Sequence, residues 1–207
     1  MEAISGNSFN LLPPGLRFCP TDEDLVLHFL YHKASISSTH NFSNSIIPQL
    51  QVHLYNPWQF HGKALSNGEI HYFFSKVGES RATESGYWKD VSMDEKILCS
   101  GNGNEVGIKK YHIFFVGEED DSSTAIQTSW VMHEYHISTY LFNNHPPSQN
   151  NCNTSHTKSE FGLWVLCRVF EAKDNTGRSM FNYEEDGDNE SELSYLDEMY
   201  LTILEDI

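Results

Sequence analysis

At 207 residues the chain has room for one core-forming domain and a tail, but hardly for two full domains. No run approaches roughly 18 consecutive apolar residues, so no membrane span is expected, and the polar stretch 1–10 lacks the basic start and apolar run of a secretory signal. The formal charge is −16 and lies unevenly: residues 171–207 hold 12 acids against Lys173 and Arg178, whereas residues 1–170 hold 17 acids against 11 bases. Duplex affinity comes largely from Lys and Arg neutralising phosphates, so the totals argue against tight nucleic-acid binding.

In chain order, Pro20-Thr21-Asp22-Glu23-Asp24 opens a helix. Thr21 caps its first turn, Asp24 stands where a capping box carries Glu, and early acids suit the helix dipole. Leu25, Val26, Phe29 and Leu30 then recur at helical spacing. Residues 35–45 are rich in Ser, Thr and Asn and read as a loop, and 48–57 as extended or turn-like chain ending in Asn56-Pro57-Trp58. After that the texture is β. Residues 70–74, 85–91, 110–116, 129–137 and 163–170 are aromatic or β-branched runs separated by Gly, Asn and Asp. Five or more such runs predict an antiparallel sheet with the early helix packed on it, an α+β arrangement.

Residues 140–159 are Asn-, Ser-, Thr- and Pro-rich and are expected to form a disordered insertion before the last strand. The expected organisation is a flexible start (1–10), one domain (11–170) and a disordered acidic tail (171–207). Within that tail Leu193, Leu196, Met199, Tyr200, Ile203 and Leu204 mark an amphipathic segment, 193–207, expected to fold only on binding a partner.

Catalytic and metal chemistry lack their parts. There is no Gly-rich phosphate loop, nucleophile elbow or acid pair in a recognisable catalytic pattern, so no enzyme is expected. His133-Glu134-Tyr135-His136 resembles a zinc-protease motif, but its histidines are three apart in a strand-like run, where that motif needs four on a helix. Neither metal nor cofactor is expected. Cys19, Cys99, Cys152 and Cys167 show no CxxC spacing and are read as buried free thiols. Trp58, Trp88, Trp130 and Trp164 are read as core residues.

The run Leu12-Pro13-Pro14-Gly15-Leu16-Arg17-Phe18-Cys19-Pro20-Thr21-Asp22-Glu23-Asp24-Leu25 resembles the opening block of plant NAC-domain transcription factors. Further blocks follow in that family's order: Leu54-Tyr55-Asn56-Pro57-Trp58, Tyr72-Phe73-Phe74-Ser75, Arg81-Ala82-Thr83 with Gly86-Tyr87-Trp88-Lys89, and Val106-Gly107-Ile108-Lys109-Lys110. Trp130-Val131-Met132-His133-Glu134-Tyr135 and Trp164-Val165-Leu166-Cys167-Arg168-Val169-Phe170 complete the set. The short chain and acidic, Leu-rich tail are most similar to the xylem NAC-domain subgroup.

This resemblance implies an α+β fold, a twisted antiparallel sheet flanked by helices, in a nuclear, dimeric transcriptional regulator that presents a strand edge to the DNA major groove. It implies dimerisation through the opening block, here Leu12, Pro13, Gly15, Arg17, Phe18 and Asp24. In the family an Arg of that block pairs across the dimer with a Glu seven positions later; here the positions hold Arg17 and Asp24, and the alternative is that Asp24 only caps its helix. It assigns DNA contact to Lys76, Arg81, Lys89, Lys109 and Lys110, although Lys109-Lys110 reads equally as a solvated pair.

Departures from the family pattern weaken the expected contact. The family's long basic loop is reduced to residues 76–80, the Ala-Thr-Gly that follows the family's Lys is here Asp90-Val91-Ser92, and Gly117 is followed by Glu118-Glu119-Asp120-Asp121. Two functions are therefore expected to compete. One is weak promoter binding with negative regulation. The other is sequestration of other NAC proteins in homodimers or heterodimers, without strong DNA contact. Leu193-Ser194-Tyr195-Leu196-Asp197-Glu198 is similar to the Leu-x-Cys-x-Glu signature for retinoblastoma-type pocket proteins, with Tyr195 in place of Cys and Asp197 in place of Glu. Its alternative is an ordinary acidic amphipathic helix.

Overall fold

The structure, a computed structural model, describes residues 17–35, 45–119, 124–144 and 162–172. Among these, six strands form one antiparallel sheet: β1 (Leu65–Asn67), β2 (Ile70–Lys76), β3 (Gly86–Leu98), β4 (Glu105–Val116), β5 (Ile126–Ile137) and β6 (Trp164–Glu171). Their order is β1-β2-β6-β5-β4-β3, so the last strand in sequence inserts between β2 and β5 and leaves β3 outermost.

The N-terminal helix forms as expected. It is α-helical over Asp22–Asp24, π-helical over Leu25–Leu30 and α-helical again over Tyr31–Ser35. Thr21 and Asp24 make a reciprocal capping box: Asp24 N donates to Thr21 Oγ1 (3.1 Å) and Thr21 N donates to Asp24 Oδ2 (3.0 Å). The helix buries Leu25, Val26 and Leu30 against Tyr72, Phe74, Tyr135 and Leu166 on one face of the sheet. Each such aliphatic side chain contributes about 1.5–3 kcal/mol when fully buried. Gly107 allows this close approach, since a Cβ there would lie 2.9 Å from Val26 Cγ2 and 2.7 Å from the His136 carbonyl oxygen.

The acids of the first turn fasten the helix to the sheet. Lys109 Nζ donates to Asp22 Oδ2 (2.8 Å), Tyr135 Oη donates to Asp22 Oδ1 (2.7 Å), and Ser100 N donates to the Glu23 carboxylate (3.2 Å). The opposite face carries a second core of Val52, Phe60, Phe73, Trp88, Phe114, Met132, Val165, Cys167 and Val169. It is covered by short 3-10 turns at Val52–Leu54 and Pro57–Gln59.

Several local expectations change. Trp88 is buried, but Trp58 is 47% exposed and meets the Phe114 ring edge-on, while Trp130 and Trp164 are half-buried at the core margins. Cys167 is buried as expected, Cys19 is exposed and Cys99 half-buried; Cys152 lies outside the described residues. Residues Thr139–Asn144 form a short helix with Leu141 buried, where the sequence suggested the start of a disordered insertion. The rest of that expected insertion, residues 145–159, lies outside the described residues.

Candidate nucleic-acid interface

A sheet offers a groove-reading edge only where its outer strand lacks a neighbour. Residues 81–83 cover β3 at its start: Trp88 N donates to the Arg81 carbonyl (2.9 Å), Thr83 N donates to the Gly86 carbonyl (2.6 Å), and Ala82 bridges Tyr87. Among the described residues no segment pairs with this edge of β3 beyond Trp88, so it opens at Lys89. Gly86 is required at the covered end, because a Cβ there would lie 1.9 Å from the Phe115 carbonyl oxygen.

Alternation separates Lys89 from its acidic neighbour. Lys89 faces Ile113 across the ladder and its Nζ lies 5.4 Å from the Phe115 ring centroid; Asp90 faces His112 on the other side of the sheet. The Asp90 carboxylate is engaged locally, accepting from Ser92 N at 2.7 Å. Ser92 has φ 56 and sits in a bulge, where four steps on β3, Asp90 to Asp94, match two on β4, His112 to Lys110. A left-handed residue thus stands where the family resemblance places Gly.

The five expected DNA contacts do not form one surface. Lys89 is exposed at the open edge. Lys110 lies on the face opposite the helix and is only loosely paired, 3.9 Å from Asp94. Lys109 is turned to the helix side and is spoken for: its side chain is 10% exposed and its Nζ lies 2.8 Å from Asp22 and 2.7 Å from Glu95. Burial alone would lower its pKa, but Asp22, Glu95 and Tyr111 raise it well above the usual lysine value. Arg81 is paired with the buried Glu134. Lys76 ends β2, with β6, β5 and β4 between it and β3, and rests over the Trp164 ring (5.7 Å). Spacing could not reveal this, because the partners Asp22, Glu95 and Glu134 lie far from these cations in sequence or across a strand.

Acids surround the open edge. Asp94 and Glu95 lie further along β3, and Glu118 and Glu119 are exposed just after Gly117, whose N–H donates to the Ser85 carbonyl (3.1 Å). Asp120 and Asp121 lie outside the described residues.

On the expected dimer face, Arg17 is exposed, whereas Phe18 is buried. Its ring packs edge-on against Tyr72 (4.9 Å) and Phe29 (5.3 Å) within the chain's own core. Asp24 is committed first to its cap, with Oδ2 accepting from both Thr21 N and Thr21 Oγ1, while Oδ1 lies 3.7 Å from His28 Nε2. Leu12, Pro13 and Gly15 lie outside the described residues, as do the tail positions Leu193, Leu196, Met199, Tyr200, Ile203 and Leu204.

His133 and His136, the two histidines that a zinc-protease motif would bring together, stand three apart on β5 and so point to opposite faces of the sheet. His133 lies between the Tyr111 and Phe170 rings (4.7 and 5.1 Å), and burial, with Arg168 and Lys109 nearby, holds its pKa down at about 3.

Residues 13–137 match the family described as No apical meristem (NAM) protein. The chain is 40% identical to NAC domain-containing protein 104 of Arabidopsis thaliana, over 93% of this chain and 94% of that protein. It is 35% identical to NAC transcription factor 56 of Arabidopsis thaliana, over 83% of this chain and 47% of that protein. To NAC domain-containing protein 2 of Solanum lycopersicum it is 34% identical, over 88% of this chain and 64% of that protein. It thus spans nearly all of the first relative but about half of the second.

Proposed function

The chain belongs to the NAC family of plant DNA-binding transcription regulators, and from that premise we propose that it acts in the nucleus as a dimer that grips promoter DNA weakly. The observation that carries this reading is the edge of β3, open from Lys89 onward on the outermost strand. Lys89 and Lys110 are the cations we assign to phosphate. Lys109 and Arg81 support the fold around them, and Lys76 lies too far across the sheet to join them. With so few free cations and Glu118 and Glu119 nearby, affinity is low and falls readily with salt. We assign negative regulation to this weak occupancy.

A second reading is favoured by the pairing of Arg81 and Lys109: the protein sequesters other NAC proteins through Arg17 and Asp24 and does not depend on DNA. The tail, with its amphipathic segment, is then the element that recruits a partner, a retinoblastoma-type pocket protein being the one its sequence suggests. Fluorescence anisotropy of a labelled duplex carrying the NAC core site, against a scrambled duplex and at several salt concentrations, separates the readings. Preference for the core site, together with a shallower salt slope and weaker binding to both duplexes in Lys89→Ala, supports promoter binding. No preference at physiological salt removes it and leaves sequestration.

A further inference from the structure

The connection between β2 and β3, residues 77–85, must pass over three strands, because β6, β5 and β4 stand between the two it joins. Polar contacts fasten it along the way. Ser75 Oγ donates to Glu79 Oε2 (2.9 Å), and Thr83 Oγ1 donates to Asn56 Oδ1 (2.6 Å). Midway, the Arg81 guanidinium pairs with Glu134 and also donates to the Glu79 carbonyl (3.4 Å).

Glu134 is a deep anchor. Its side chain is 6% exposed, and His136 Nε2 lies 2.9 Å from its other carboxylate oxygen. Burial alone would raise its pKa, but His136, Arg81 and His112 hold it at about 2, so it is a carboxylate that needs a countercharge. Arg81 is also tied to the strand edge, since its carbonyl accepts from Trp88 N, one residue before Lys89.

We infer that Arg81 is a positioning residue fastened by Glu134, and that the pair sets the β3 edge at Lys89 instead of giving a cation to phosphate. The inference rests on the duplex-binding reading above. For Arg81 to reach a phosphate it would abandon a buried carboxylate, which costs more than one screened phosphate contact returns.

The test uses the full chain with Arg81→Met, Arg81→Lys, Glu134→Gln, Lys89→Ala and the Arg81→Met/Glu134→Gln pair. Thermal midpoints are measured first, and binding is read below the lowest of them. Arg81→Met and Glu134→Gln are each expected to reduce preference for the core site over the scrambled duplex by about tenfold, as loss of a supporting shell does. The double variant loses no more than either single one, and Arg81→Lys keeps most of the preference. The slope of log K against log salt stays at its wild-type value in all of these, whereas Lys89→Ala lowers it by about 0.9.

Arg81→Met lowering the slope by about 0.9 while Glu134→Gln leaves binding unchanged overturns the inference. So do losses that add in the double variant. If the wild-type chain shows no site preference, the duplex-binding reading is what fails. The thermal midpoints then decide the pair: a double-variant shift smaller than the sum of the single shifts supports it, and additive shifts refute it.

Discussion

His133 shows how a side chain's protonation can be decided by its neighbours. Lying between two aromatic rings and close to Arg168 and Lys109, it is held neutral, with a folded pKa of about 3 against an ordinary 6.5. A depressed folded value means that its contribution is intact above pH 6.5 and is lost as pH falls towards 3, because the unfolded chain takes up the proton first. The slope is about 1.4 kcal/mol per pH unit for each such group, and His112, also lowered by burial, adds to it. Urea midpoints at pH 7, 6 and 5 should fall steadily, and His133→Phe should flatten the fall by its share. An unchanged profile in that variant would mean that His133 is not held neutral. Ser92 offers a prediction of the opposite sign. Its φ of 56 strains an L-residue, and the bulge itself is kept by Asp90, so Ser92→Gly should gain about 1 kcal/mol, read as a higher thermal midpoint.

Among the elements, the N-terminal helix is the one whose attachment can be isolated. Asp22 joins it to β4 through Lys109 and to β5 through Tyr135. Asp22→Asn keeps the shape but removes the charge that Lys109 faces. Because Glu95 still holds Lys109, the loss should be about 1–2 kcal/mol and concentrated in the helix. Hydrogen exchange is the measurement: amides of Leu25–Leu30 should lose protection while those of β6 keep it, and equal loss in both would show that the anchor is not local. The helix and its capping box were legible in sequence because cap, acid and apolar spacing all lie within one turn of each other. Five of the six strands were legible in position, but not in length, whereas the three-residue β1 (Leu65–Asn67) was not read as a strand. Residues 92–98 are largely polar and extend β3 only because β4 pairs with them, as Glu95↔Lys109 and Lys96↔Ile108 show. For the same reason the site was only half legible. Lys89 was placed by its motif, whereas the pairing of Arg81 with Glu134 spans 53 residues and depends on strand order, which no local pattern encodes.

For the whole molecule the question is how a chain of charge −16 approaches a polyanion. Glu118 and Glu119 follow the end of β4, three residues along β3 from Lys89 in the register Gly86↔Val116 and Lys89↔Ile113. At strand rise that end lies about 10 Å from Lys89, about one Debye length at 0.1 M salt, and the two carboxylates follow it by two and three residues. Their effect on a duplex held at Lys89 is therefore a field effect, strong in dilute salt and screened in concentrated salt, and unlike that of a direct contact. Replacing both by Gln should tighten duplex binding by about two- to fivefold near 50 mM salt, with the gain fading by about 0.3 M. Site and scrambled duplexes should gain alike, since field strength carries no sequence information. Anisotropy titrations of the Glu118→Gln/Glu119→Gln variant across that range make the distinction. A gain that persists at high salt, or favours the core site alone, would place these carboxylates in contact with the duplex, and the open edge would then extend past β3 into the loop that follows β4.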